Sequence, residues 1–563
     1  MGYCIPKPNA QKFVKYLREG KITPENLTSM SSEERRALFS EIVGDAEAKE
    51  MNAALESKLI LKDQKRGMVT WLKQVTGLTK ESRRDLMAKI GKLDKVLEPA
   101  TERAFLEDLA SKRLGADISI EEARKIAELA KSVTDTKAEM DSGGDRMAYG
   151  RADVALANYV ADLKNSNHPN FIQRIKNLDI GGAASEIAGT AKGLNASLDN
   201  SAIFRQGWKT LFTNPIIWMK NAKQSFVDLV RRFGGKHVID EVNAEIHSRP
   251  TYGLMKKAKL DVGTTEEQFP THLPAKIPIL GRFYKASEAA YTGFVYRTRA
   301  DVFDKYIKIA ETSGIELDKE QLLSIGKLVN SLTGRGDLGR AERVASVVNN
   351  VFFSPRFLKS NIDFLTAHQL QGGVTPFVRK QAALNLLKVV VGTASVLAIA
   401  DAIAPGSVEI DPRSSNFGKI KVGSTTFDVS GGMASVITLA ARMLTMSSKS
   451  AISGKVSKLN SGKYGSQTVA DVLKNFAEGK LSPAAGILRD IFLEGHDFNG
   501  NQPTILNELN NLFTPLPIKN AIQLWKSKDG KNLDLVLAGI IADALGVSVN
   551  TLTPYPKSQP VKK

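Results

Sequence analysis

The chain has 563 residues and a mass of 61.3 kDa, with 78 Lys and Arg against 60 Asp and Glu, a net charge of +18. Hydrophobic residues at 42% and charged residues at 25% are globular proportions; they exclude a wholly disordered or collagen-like chain, and the length exceeds one ordinary core. One cysteine, Cys4, excludes an intramolecular disulfide and a zinc site of several thiolates, and none of the six histidines pairs at the four-residue spacing of a helical metal site.

The charge is uneven. Residues 1–150 hold 27 basic and 25 acidic residues, whereas 201–260 hold 11 against 4. Such an excess attracts phosphate, on nucleic acid or on anionic lipid. Met1–Gln11 lacks an apolar run after a basic start, so no signal peptide is expected there, and Pro6 stands where a myristoylation signal takes Ser or Thr.

Residues 7–140 read as helices with short breaks. Thr23 before Pro24 is a helix start, as is Ser31 with Glu34 at capping-box spacing. Ser119 before Glu121 and Glu122 opens a further helix, with Ile126 and Ala130 on one face. Ser142-Gly143-Gly144-Asp145 is a turn, and the glycines at 181, 182, 189 and 193 mark 141–200 as a flexible Gly-rich link.

Ile216, Met219, Ala222, Phe226, Leu229, Val230 and Phe233 step by three and four residues. Lys220, Lys223, Arg231 and Arg232 fall between them, and Gly234-Gly235 ends the pattern. This predicts a basic amphipathic helix, entered by Trp208, Phe212 and Trp218, with its apolar face in the core in preference to an anionic membrane. A second long helix, 283–310, carries Tyr284, Tyr291, Phe294, Tyr296, Phe303 and Tyr306. They fit no RNA-recognition signature and are expected to pack helix on helix, with the hydroxyls at the rim.

Leu384–Ala404 is the most apolar stretch, broken only by Lys388 and Asp401. Its length suffices for a bilayer, but the uncharged run Val389–Ala400 is short and rich in small residues, so a buried core helix is expected. A lysine at Val390 or Leu397 would then be a buried unpaired charge that unfolds the protein.

Alternation over Lys419–Val422 and Thr426–Val429, around Gly423-Ser424, predicts a β-hairpin near 419–429. Helix resumes over 434–445. Ser447–Gly465 carries Lys449, Lys455, Lys458 and Lys463 with no acid and reads as a mobile basic loop. These four, with Lys220, Lys223, Arg231 and Arg232, are the candidate polyanion-binding residues. Helices are expected at 467–478, 483–493, 503–512, 517–526 and 532–545. The organisation is thus a helical region 1–140, the link 141–200, a central helical body 201–404, a hairpin with C-terminal helices 405–552, and a disordered basic tail 553–563. The fold class is mainly α, a multi-helix body with one small hairpin.

Motifs for chemistry are weak. Gly334, Gly336 and Gly339 match a dinucleotide fingerprint, but a helical pattern precedes them where a strand is required, so a helix-stop loop is expected. Asp497, Asn499, Asn501 and Glu508 fit part of a calcium loop, yet Gln502 replaces its glycine. Arg205, Arg299, Arg356 and Arg413 read as salt-bridged packing near Asp301, Asp304 and Asp411. No nucleophile–base pair, cofactor or metal site is expected.

Several strings together carry a resemblance: Ile5-Pro6-Lys7-Pro8, Glu33–Phe39, Ser197–Ser201 with Arg205-Gln206-Gly207, Lys276-Ile277-Pro278 with Ala286–Tyr291, Arg299–Asp304, Thr333–Gly339, Phe352–Arg356, Asp411–Ile420, Leu481–Ala485 and Leu512–Pro517. The chain resembles the large polyvalent-protein-associated family of tailed bacteriophages and prophages, over about 197–552 and more loosely over the first 140 residues. The resemblance implies a phage or mobile-element protein, often encoded among virion genes; with a disulfide-free helical chain, net +18 and no nucleophile–base pair, the leading expectation is a non-enzymatic, virion-associated protein, internal or ejected with the genome and made in the host cytoplasm. Its implied partners are other virion proteins, DNA, the host membrane and further copies of the chain. The alternative is a soluble nucleic-acid-binding protein that shields incoming DNA.

Overall fold

The computed structural model describes residues 30–74, 120–166, 200–263, 280–339, 352–462, 466–482, 516–527 and 532–551, with isolated positions between. Cys4, the glycines at 181–193, the partial calcium loop at 497–508, the helix expected at 503–512, Lys463 and the basic tail lie outside the described residues. The helix expected at 483–493 is described only at isolated positions. The chain divides into two compact units, 1–168 and 169–563.

The first unit pairs α1 (Ser32–Val43) with α2 (Asp45–Gln74), and α3 (Ile120–Asp141) with α4 (Arg146–Ser166). Ser31 and Glu34 form the expected capping box, each side chain taking the other's backbone N–H. Met68, Ile90, Ile126, Val133, Leu156 and Val160 form the core. The sequence reading placed α4 inside the flexible link; it is instead a 21-residue helix whose Leu156 and Val160 are buried.

The second unit opens with a π-helical turn, Ala202–Gln206, followed by α5 (Trp208–Thr213) and α6 (Pro215–Phe233). Two short helices, α7 (Val238–His247) and α8 (Tyr252–Lys257), precede the 33-residue α9 (Leu280–Thr312) and α10 (Lys319–Leu332). Asp318 caps α10, its carboxylate accepting from the Gln321 N–H at 2.7 Å. Thr333 and Gly334, the latter at φ +81°, end α10, so the glycine-rich stretch is the helix stop expected of it. Then come α11 (Pro355–Leu365), with Pro at its first position as expected, and α12 (Pro376–Ile403), which Thr375 caps.

The expected hairpin is β1 (Lys419–Val422) with β2 (Thr425–Asp428), paired antiparallel with Ile420 opposite Phe427. A third strand, β5 (Ser548–Thr551), adds to β2 from the far end of the chain. That closure was not foreseen. It gives the hairpin the third strand that an isolated pair needs for stability. Between them lie α13 (Met433–Thr445), β3 (Ser447–Lys449), β4 (Val456–Lys458), α14 (Val469–Glu478), α15 (Leu516–Lys526) and α16 (Leu533–Ala544). The expectation of a mobile basic loop over Ser447–Gly465 is corrected: β3 and β4 pair antiparallel, and the Lys449 ammonium meets Glu409 at 2.8 Å.

The fold is mainly α with small antiparallel sheets. Its core is built on α9, whose Tyr284, Tyr291, Phe294, Tyr296, Phe303 and Tyr306 are all buried, as expected of helix packing. The hydroxyls are not at the rim. Gln206 donates to the Tyr291 oxygen, and Asn385 donates to the Tyr306 oxygen at 2.6 Å, both inside the body.

Candidate functional site

The packing of α6 is inverted. Its fully buried face is polar, Asn221, Ser225 and Asp228 with the small Ala222, while Ile216 (78% exposed), Met219, Phe226, Val230 (68%) and Phe233 face outward. The expectation that its apolar face is core is therefore corrected. The reason lies on α9. Ser225 Oγ donates to the Ala290 carbonyl at 2.8 Å, and the Asn221 amide donates to Asp301 at 3.0 Å. Asp228 receives Arg297, whose Nε also reaches Glu245 at 2.7 Å. Gly293 lets the helices close on this pair, since a Cβ there would come within 2.6 Å of the Asp228 carboxylate. Arg249 completes the network, bridging Asp301 at 2.8 Å and Asp304 at 2.9 Å. A buried charge survives only when paired and hydrogen-bonded, and here Asp228, Arg297, Asp301 and Arg249 each have a charged partner.

α12 likewise exposes an apolar face, although its buried residues are mostly apolar. The reading of 384–404 as a buried core helix is corrected: Leu384, Leu387, Val390, Val391, Ile399 (61%) and Ile403 (79%) are exposed. Only Val378, Ala382, Asn385 and Val389 are fully buried. Among the described residues α12 is the one helix long and apolar enough to cross a bilayer, and almost none of its apolar window is covered. At 1.5 Å per residue its 28 residues span about 42 Å. One side is seated on α5: Trp208 Nε1 donates to Thr393 Oγ1 at 3.0 Å, and Gly392 lies so close to the Phe212 ring that a Cβ would be 2.1 Å from it. The small residues thus serve close packing on that side only. A further apolar groove runs between α15 and α16, lined by Ile518, Ile522, Trp525, Val536 and Ile540.

Four of the seven described candidate polyanion-binding residues have carboxylate or backbone partners. Lys220 meets Asp301 at 3.3 Å, Arg231 meets Glu241 at 2.8 Å, and Arg232 donates to the Lys236 carbonyl at 3.1 Å. Lys449 meets Glu409 on a different surface element. Lys223, Lys455 and Lys458 are exposed. The structure therefore brings four of the eight onto α6, places three on the β3–β4 hairpin, and joins the two groups by no contact. Of the arginines read as salt-bridged packing, Arg413 pairs with Asp411 at 2.8 Å, and this contact, with the Arg413 N–H, holds Asp411 down to about 2. Arg299 is wholly buried but donates to Thr333 Oγ1 and the Asp261 carbonyl; Asp301 and Asp304 take Arg249 instead.

Two charged groups were missed in the sequence. Lys209 is fully buried under Phe357 and Phe364, donating to the Ser331 carbonyl at 2.9 Å and Ser360 Oγ at 3.2 Å. Burial pushes it down to about 7, against the pull of Asp363. Glu288 lies beneath α6, and burial raises it to about 7 although Arg232 and Lys285 oppose the shift. Nothing in the local pattern marked either one. Asp228 did carry a signal, as the lone acid in a basic apolar helix.

No protein-family model, curated protein or solved structure matches the chain.

Proposed function

We propose that the chain is a non-enzymatic, virion-associated protein of a tailed phage, carried with the genome and ejected with it, that engages the host membrane through α6 and α12. The observation that carries the membrane part is the exposed apolar face of both helices, which on α6 lies over a polar buried face. A charged, hydrogen-bonded interior beneath an apolar exterior suits a surface that meets lipid, because hydrated apolar patches of this extent are costly in water. The phage setting rests on the sequence resemblance. Other virion proteins and further copies of the chain are its expected partners.

Mass spectrometry of purified virions tests the setting, with the chain expected among the packaged proteins. Vesicle flotation tests the contact: the full chain is expected to rise with liposomes and to leave them when Ile216, Val230, Val391 and Ile399 are changed to Ser. Capture of DNA without vesicle binding would overturn this reading and favour a soluble protein that shields incoming DNA.

A further inference from the structure

We propose that Lys305 of α9 and Lys388 of α12 form a docking site for the phosphate of an anionic phospholipid, between the start of α6 and the middle of α12. The inference rests on the membrane reading and names the lipid chemistry it selects.

Two contacts build the site. The Lys305 ammonium donates to Asn214 Oδ1, at the N-cap of α6, at 2.6 Å. The Asn385 amide donates to the Tyr306 oxygen at 2.6 Å, which pins α12 beside the same turn of α9. Tyr306 is the next residue after Lys305, and Lys388 follows Asn385 by one helical turn, so this contact brings both lysines to the same region; partial burial, with the Lys388 charge adding to it, holds Lys305 below the usual lysine range. Both side chains are exposed.

Local carboxylates do not neutralise the pair. Asp301, one turn back on α9, is engaged by Lys220 and Arg249, and Asp304 by Arg249 and Thr251. On α12 the nearest acid is Asp401, more than three turns away. Lys308, three residues after Lys305, is also exposed and adds positive charge. The two lysine charges repel, and an anion received between them relieves the repulsion.

The surroundings select the anion. Ile216 and Met219 in the first turns of α6, and Leu384, Leu387 and Val391 around Lys388, are exposed apolar residues beside the cations. Free phosphate or a nucleic-acid backbone would satisfy the lysines and leave these side chains in water. A phospholipid satisfies both, with phosphate on the ammonium groups and acyl chains on the apolar faces, the lysine stems lying along them.

The test is flotation of the full chain with vesicles of phosphatidylcholine alone and of phosphatidylcholine mixed with phosphatidylglycerol. Wild type is expected to prefer the mixed vesicles. A lysine near an anionic surface contributes roughly five-fold in affinity, so Lys388→Gln should lose about that factor and Lys305→Gln/Lys388→Gln about its square. Binding to phosphatidylcholine alone should stay unchanged in both variants. Lys319→Gln/Lys421→Gln, two exposed lysines elsewhere, should keep the full preference. Thermal melts are the check that each variant folds, and the single variant keeps Lys305 and Asn214 unchanged. An undiminished preference in the Lys388 variant would overturn the site while leaving the membrane reading in place. Equal binding of both vesicle types by wild type, with a melting point raised by inorganic phosphate in wild type but not in Lys388→Gln, would make free phosphate the ligand and overturn the lipid assignment. Failure of wild type to bind either vesicle would overturn the membrane reading itself.

Discussion

Arg297 holds two carboxylates, Asp228 inside the α6–α9 contact and Glu245 at its margin. Replacing Arg297 with Met strands the buried Asp228 and should cost about 3–5 kcal/mol, read as a lower urea midpoint. Asp228→Asn added to that variant should recover the larger part, because the stranded charge is then gone. Lys209 and Glu288 contribute to the pH response with opposite signs. Between about 7 and the ordinary lysine value the folded Lys209 is neutral while the unfolded chain still holds the proton, so stability rises with pH. Between the ordinary glutamate value and about 7 the folded Glu288 holds a proton that the unfolded chain has released, so stability falls as pH rises. Each slope is at most about 1.4 kcal/mol per pH unit. Denaturant titrations should show the alkaline rise reduced in Lys209→Met and the acid-side fall reduced in Glu288→Gln.

The elements differ in how far sequence reveals them. The bounds of α6 were legible to within a residue, because period, proline and glycines all agree on Pro215–Phe233. Which face is buried was not legible. A helical stripe shows that two faces differ, and the choice between them is made by partners far away in sequence, here Ala290, Arg297 and Asp301. The hairpin β1–β2 was legible from its alternation, whereas β3, β4 and β5 were not, since Ser447–Lys449, Val456–Lys458 and Ser548–Thr551 lack an apolar face. Of the candidate site, the apolar run and its interrupting Lys388 were visible; the pairing with Lys305 depends on Asn385 reaching Tyr306 across 79 residues. The exposure of α12 gives a direct measurement. Val390→Lys, read from sequence as unfolding, should melt within a few degrees of wild type, since surface substitutions change stability by about 0.5 kcal/mol. The same variant should bind phosphatidylcholine vesicles several-fold more weakly.

For the whole molecule the net +18 is an attractive field rather than a site, since Lys220, Arg231 and Lys449 already have carboxylate partners. Field and apolar contact respond differently to ionic strength. Binding that only neutralises phosphates falls by orders of magnitude between about 50 and 200 mM salt, because each contact releases a counterion. Burial of apolar area is not screened. Vesicle association of the full chain should therefore weaken with salt but persist at about 0.5 M. Association that vanishes in that range would assign the surface to the field alone.

The charged interior beneath α6 also shapes the thermodynamics of unfolding. Heat-capacity change on unfolding comes from apolar surface newly exposed to water, opposed by a smaller negative contribution from polar surface. In this body Ile216, Val230, Val391, Ile399 and Ile403 are already wet in the folded state, while Asn221, Ser225, Asp228 and Arg297 are newly wetted when it opens. Both terms lower the change. Calorimetry of the chain without lipid should give less than the roughly 12–15 cal/mol/K per residue of ordinary globular proteins. The stability curve would then be only weakly curved, so that stability keeps rising on cooling and its maximum lies at a lower temperature than in ordinary globular proteins.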